Sequence, residues 1–493
     1  MLDGTDASDG LPVAIIGAGP VGLAAAAHLA LREVPFVVVE AGKEPGAAIR
    51  DWAHVTFFSP WRFNVDSAAG VLLARHGWAL APGDRDRDPT GGELIERYLA
   101  PLAAVPELAP HIRYGLQAIA VTRHGMDRVP SAGRDERPFE ITFRDTRGRE
   151  GRLLARAVID ASGTWRNPNP AGSNGRPASG EHELARRIRH GIPDVSGAER
   201  ERYAGRRVMV IGAGHSAMDS LIALARLQRS APATQIIWGL RSPLTAKVFG
   251  GGREDQLSSR GALGVRAKAA IEEARAKVLA PFRVSAFAMA GEALSVAGDT
   301  SDGQHWETVD EVIVATGFRP DFSGLSEIRL DLHPWLECPR ALGPLIDPNE
   351  HSCGDVPPHG VKELAHPEND FFIVGMKSYG RAPTFLMMTG YEQVRSIAAA
   401  LAGDWVAAHE TRLVLPQTGV CEGLGHAKTE AAAIAGCCGG PSETRADACC
   451  VKDAEAKDRG EAGCGCSTGI KMAEPESAKP SDSCTAASPI AAT

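Results

Sequence analysis

The sequence predicts an α/β protein built from two doubly wound modules, one inserted in the other, and followed by a cysteine-rich tail. Three observations carry this reading. A strand–glycine turn–helix–strand unit opens the chain at Leu11–Glu40, "LPVAIIGAGPVGLAAAAHLALREVPFVVVE". A second such unit, "RRVMVIGAGHSAMDSLIALARL", follows about two hundred residues later, then "TQIIWGLRS". All ten cysteines stand at Cys338 or beyond, eight of them between Cys421 and Cys484. The predicted strands are continuous apolar runs rather than alternating ones, as parallel strands covered on both faces require.

The first unit sets the pattern for the rest. In "IIGAGPVG", Gly17, Gly19 and Gly22 satisfy G-x-G-x-x-G between a strand and a helix, with Pro20 opening the helix. The first glycine permits the tight turn, the second lets a pyrophosphate approach the backbone, and the third lets helix and strand pack closely. Glu40 ends the next strand at the spacing of about twenty residues expected of a ribose-binding acid. Further on, "FEITFRD" from Phe139 reads as a strand, and "RAVIDASG" (Arg156–Gly163) as a buried strand ending in glycine. "NPNPAGSNGRP" then breaks all periodicity and marks a domain crossing.

The second Rossmann-like unit carries Gly212 and Gly214, with Ala217 in place of the third glycine, an accepted variant, and His215 and Ser216 inside the turn. Its second strand ends without an acid, and Arg241 lies just beyond. A carboxylate there repels a 2′-phosphate, whereas a guanidinium holds it by paired charged hydrogen bonds, so NADPH is expected over NADH. Two dinucleotide sites in one chain imply a flavin at one and a nicotinamide at the other. The strands "DEVIVATGFRPD" and "NDFFIVGMKSYG" complete the fold, and periodicity ends after Leu415. The domains expected are therefore 11–165 and 310–405 for FAD, 166–309 for NADPH, and 416–493 for the tail.

Composition narrows the function. The chain has 493 residues, 44% hydrophobic and 23% charged, with a net charge of −8 and a pI near 6.0. No basic face of the kind nucleic acid demands is present. No apolar run reaches membrane-spanning length, and "MLDGTDASDG" lacks the layout of a secretory signal, so a cytoplasmic protein is expected.

These motifs resemble the flavin-containing monooxygenases and the wider group of flavoproteins with two dinucleotide-binding domains, over roughly Pro12 to Gly403. By that resemblance "VATGFRP", with Thr316 and Gly317, marks the return from the NADPH domain, and "DASGTW" (Asp160–Trp165) the outward crossing. Gly375 would end the last FAD-domain strand, with the following helix, after Thr384, aimed at the flavin. "FFSPWRFNVD" and "GMKSYGRAPTFLMMTGYEQVRS" are similar to the ArsO-like monooxygenases of arsenic-resistance operons. The resemblance implies FAD, NADPH and oxidation of a soft nucleophile, with a trivalent arsenical first and a sulfur or nitrogen compound second. Substrate-side candidates are Trp61, Arg62, Asn64, Lys377, Tyr379 and Arg381; no catalytic residue is identified, and Asn64, Arg62 and Arg381 are the candidates for that role. The sequence departs from the pattern in one respect that bears on oxygenation. No phenylalanine occurs between Asn169 and Gly205, where an F-x-G-x-x-x-H fingerprint would stand. The last strand also lacks the aspartate common in related reductases.

Two other readings stay open. A thiol, disulfide or metal-ion reductase needs a cysteine pair at the flavin, which only the tail can supply, since the first 337 residues contain no cysteine. A soft-metal carrier needs only the tail. From Val406 onward there is no Phe, Trp or Tyr, so the tail is expected to be disordered when metal-free. Cys437, Cys438, Cys449, Cys450, Cys464 and Cys466 are soft thiolate ligands suited to zinc, copper(I) or arsenic(III).

Overall fold

In the computed structural model, which describes residues 10–250, 258–351, 356–383 and 385–413, the apolar runs become strands of two parallel sheets. β1 (Val13–Ile16), β2 (Phe36–Glu40) and β3 (Ile112–Tyr114) open the chain. β4 (Leu116–Arg123), β5 (Phe139–Asp145) and β6 (Glu150–Ala155) form an antiparallel side sheet, and β7 (Ala157–Asp160) returns to the first. β8 (Ile188–His190), β9 (Arg207–Ile211), β10 (Gln235–Gly239) and β11 (Lys277–Leu279) lie in the second sheet. β12 (Arg283–Ala290), β13 (Ala293–Thr300) and β14 (Gly303–Val309) form its antiparallel partner, before β15 (Glu311–Val314) and β16 (Phe371–Ile373).

The first sheet runs β16-β7-β1-β2-β3 and the second β11-β10-β9-β15-β8, so the two glycine turns sit in separate sheets. The parallel register pairs Val13 with Phe36 on one side and with Ala157 on the other. Every residue of β1, β7 and β16 is buried, which explains the absence of alternation. The alanine-rich helix Pro20–Ala30 is buried from Val21 to Leu29. Its small side chains fit it between β1 and the helix Met387–Leu401 within one apolar core.

The expected boundary at residue 310 needs correction. β15 pairs with β9 and β8 and so belongs to the second sheet; the return crossing starts only at Ala315. The sequence signal there, "VATG", marks the turn after the strand and says nothing of which sheet the strand joins. The tail and its six candidate cysteines lie outside the described residues, as does Thr384.

A buried ion cluster clips the side sheet to the first domain. Glu368 accepts from Arg123 Nε at 2.7 Å, from Arg134 Nη2 at 2.7 Å and from the Arg329 backbone at 3.1 Å. Arg123 also donates to the Asn369 carbonyl and lies 3.7 Å from the centre of the Phe139 ring.

Candidate functional site

The first glycine turn is shaped from inside by steric necessity. Gly17 has φ +103°, and a Cβ there would lie 2.8 Å from the Ala161 carbonyl oxygen. A Cβ on Gly22 would lie 1.9 Å from the Gly17 oxygen, so the helix rests on the turn itself. Gly19 has open space on its Cβ side, and no side chain caps the helix that begins at Pro20. The uncapped helix end and the open glycine together fit a pyrophosphate, which would take the place of a capping side chain. Glu40 is held at the carboxyl end of β2 by the N–H groups of Ala18 (2.7 Å) and Gly42 (2.6 Å). This fixes its carboxylate beside the turn, where a ribose hydroxyl would donate to it.

The second turn repeats this geometry. Gly212 has φ +134°, and a Cβ would meet the Ala315 oxygen at 2.3 Å; Gly214 is open and the helix His215–Ser230 has no side-chain cap. Trp238 Nε1 donates to the Gly212 carbonyl at 2.8 Å and pins the turn to β10. Ala217 is fully buried where the helix meets the sheet. His215 and Ser216 open the helix, and burial pushes the Asp219 carboxyl, one turn on, up to about 6. Arg241 is exposed two residues beyond the end of β10.

The two crossings are bonded to each other. Thr316 Oγ1 donates to the Asn169 carbonyl at 2.9 Å, Asn169 N to the Gly317 carbonyl at 2.9 Å, and Arg319 N to the Asn167 carbonyl at 3.0 Å. Thr316 and Gly317 thus build the return crossing. Gly375 follows β16 with φ +67°, and its N–H donates to Gln393 Oε1 at 2.7 Å. Gln393 Nε2 reaches Ser378 Oγ and His359 Nε2, each at 2.9 Å, so the buried amide holds this turn against the last long helix.

The substrate-side candidates have local partners. Asn64 is fully buried and donates to the carbonyls of Ser59 (2.6 Å) and Pro60 (3.0 Å), while its own carbonyl accepts from Tyr391. Arg62 pairs with Asp86, and Arg381 with Glu337 at 2.8 Å. No hydrogen bond joins these three to one another. Trp61 and Tyr379 are core residues.

Lys377 differs from the others. Its buried ammonium donates to Asp160 Oδ2 at 2.7 Å and Ser162 Oγ at 3.1 Å, and lies 5.6 Å from the Phe322 ring centre. Ser162 adjoins Gly17, so this pair stands beside the first turn and ties β7 to the segment after β16. The pairing was hidden in the sequence; an aspartate ending the apolar run "AVID" was its only signal. Among the described residues no cluster of His, Cys, Asp or Glu is placed to hold a metal ion, and no helix is long and apolar enough to cross a membrane.

Known proteins match at both turns. The family "NAD(P)-binding Rossmann-like domain" matches residues 15–80, and "Pyridine nucleotide-disulphide oxidoreductase" matches 128–337. A probable indole-3-pyruvate monooxygenase of Arabidopsis thaliana is 28% identical over 210 residues, 42% of each chain; the match thus spans less than half of that relative. Bacillithiol disulfide reductase Bdr of Bacillus cereus superposes with a TM-score of 0.59 at 19% identity, over 80% of this chain and 99% of its own. The FAD-bound cadaverine monooxygenase DfoA of Erwinia amylovora gives 0.56 at 13% identity, over 83% and 98%. At these identities the superpositions speak for the fold. The two family matches lie over the two glycine turns and make the chain similar to oxidoreductases that bind pyridine nucleotides.

Proposed function

We propose that this chain is a monooxygenase that oxidises a soft nucleophile, with a trivalent arsenical as substrate, in the cytoplasm. FAD would be held by Gly17, Gly19, Pro20, Gly22 and Glu40, and NADPH by Gly212, Gly214, His215, Ser216 and Arg241. The FAD domain would comprise residues 11–165 and 315–405, and the NADPH domain 166–314. Bound together, these cofactors supply two electrons to molecular oxygen, so that one oxygen atom enters the substrate and the other leaves as water.

One observation supports oxygen as electron acceptor over a disulfide built from the described residues. Cys338 is the only cysteine among the described residues, and it is buried. Burial pushes its thiol up to about 12, so it stays protonated and is no nucleophile. The chain's own residues then have two tasks: to hold the dinucleotides and to keep water from the reacting atoms. The arsenical is favoured by the tail thiols, whose softness matches arsenic(III).

The test follows NADPH consumption with and without arsenite or methylated arsenite, with peroxide measured alongside. Substrate-stimulated consumption without added peroxide is expected. No stimulation by any arsenical would remove that substrate. For Arg241, substitution by alanine is expected to cut the preference for NADPH over NADH by about tenfold or more, through loss of a charged hydrogen bond. An unchanged ratio of kcat/KM values for the two nucleotides would refute the assignment.

A further inference from the structure

We propose that Trp165 is a positioning residue: its indole is the wedge that sets the angle between the two domains and so the approach of nicotinamide to flavin. This rests on the function proposed above, in which FAD and NADPH act together, and takes NADPH as the hydride donor to FAD.

Trp165 is the last residue of the outward crossing "DASGTW". Its ring lies 4.5 Å from that of Phe318 on the return crossing and 6.1 Å from that of Trp52 in the first domain. Its Nε1 donates to Asp51 Oδ2 at 2.9 Å, and Arg166 pairs with the same oxygen at 2.9 Å. On the far side it packs on Gly191, just after β8 of the second sheet; a Cβ there would lie 3.1 Å from the indole. Gly191, at φ +91°, takes a backbone conformation that favours glycine, and its missing side chain leaves the ring room against that backbone.

The same stretch of the first domain makes a second contact. Trp52 packs on Phe57 at 5.4 Å, and the neighbouring Phe58 faces the His215 ring at 5.0 Å, on the first residue of the helix after the second turn. Residues 51–58 therefore support the second domain at two places, its entry crossing and its dinucleotide turn. That stretch is itself fixed: Phe57 N donates to the Pro89 carbonyl at 2.8 Å, and Gly91 N to the Val55 carbonyl at 2.9 Å.

The paired crossings form a short two-stranded stem, bridged at Pro168 and Phe318. A stem of this kind can twist. Any such rotation must lift the indole off Trp52 and Phe58 off His215 together. Hydride transfer needs reacting atoms about 3–3.5 Å apart, and a misplacement of about 1 Å costs about a hundredfold in rate. A residue that fixes the stem therefore acts on the rate of reduction more than on the affinity for either nucleotide.

The experiment measures flavin reduction by saturating NADPH in stopped flow, on FAD-loaded wild type, Trp165→Ala, Trp165→Phe and Asp51→Asn. Trp165→Ala is expected to reduce its flavin about a hundredfold more slowly, as a displaced near-attack geometry would. Its Kd for NADP, measured by calorimetry without turnover, should stay within about threefold of wild type, because the dinucleotide turns are intact. Trp165→Phe keeps a ring in the slot and should recover most of the rate. Asp51→Asn, at an exposed position, should fold normally and slow reduction severalfold. Equal rates in Trp165→Ala and wild type would overturn the proposal. If Trp165→Ala does not fold, an unchanged rate in Asp51→Asn overturns it instead. A wild type that NADPH fails to reduce would sink the hydride reading itself, a result distinct from either.

Discussion

Replacing Gly22 with alanine is expected to give colourless protein that loses FAD on gel filtration and unfolds several degrees below wild type. In an exposed helix this change gains about 1 kcal/mol of propensity. Here the new methyl would stand 1.9 Å from the Gly17 carbonyl oxygen, a backbone atom with no rotamer to change. The helix Pro20–Ala30 must then move off β1. Overpacking of this kind costs about 1–3 kcal/mol or more, and the displacement also destroys the turn that would face the phosphates. Gly19→Ala makes the comparison informative. Its methyl would project into open space, so that variant should keep the melting temperature of wild-type apoprotein and lose affinity for FAD. If Gly22→Ala purified yellow with an unshifted melting curve, the packing argument for the third glycine would be wrong.

Removal of the Glu368 carboxylate should cost the fold at least as much stability. Glu368→Ala leaves two buried guanidinium groups, Arg123 and Arg134, without their shared partner. Breaking a buried pair in this way costs about 3–5 kcal/mol, readable in a urea titration. The pH dependence has a definite sign. Burial raises the Glu368 carboxyl, the Arg134 and Arg123 guanidiniums more than reverse this, and the net effect holds it below the usual range. The stabilisation is therefore fully present at neutral pH and is lost as pH falls below the ordinary carboxylate range of about 4–4.5. The gap between wild type and Glu368→Gln should narrow on acidification. A gap below about 1 kcal/mol at pH 7 would mean that the arginines find other partners once the carboxylate is gone.

The sequence revealed those parts of the molecule that are local in the chain. Gly17, Gly22 and Gly212 were legible because a tight turn between strand and helix forces glycine at a fixed spacing, and nothing distant is needed to see it. The continuous runs "VAII" and "AVID" were legible as doubly covered strands for the same reason. Sheet membership is not local: the apolar residues of β15 suit either sheet, and only its pairing with β9 and β8 places it in the second. The site's polar pairs were beyond reach. Lys377 finds Asp160 across 217 residues, and Arg123 finds Glu368 across 245. Nothing in either neighbourhood announces a partner. Asn64 illustrates the converse: the family resemblance makes it a substrate-side candidate, yet its amide donates to the carbonyls of the loop just before it.

The two crossings also bear on how such a chain can be rebuilt. Asn169 and Gly317 share a backbone hydrogen bond of 2.9 Å, so the second domain enters and leaves the first at a single point. A segment with adjoining ends can be excised, and the stump closed by a very short linker, without stretching either neighbour. The same closeness allows a foreign domain with adjoining termini to be spliced in at that stem. The nicotinamide module is thus, in its connectivity, an exchangeable cartridge. What a replacement would lack is the seat on residues 51–58, and the fit at that seat decides whether an exchanged module transfers electrons or merely folds.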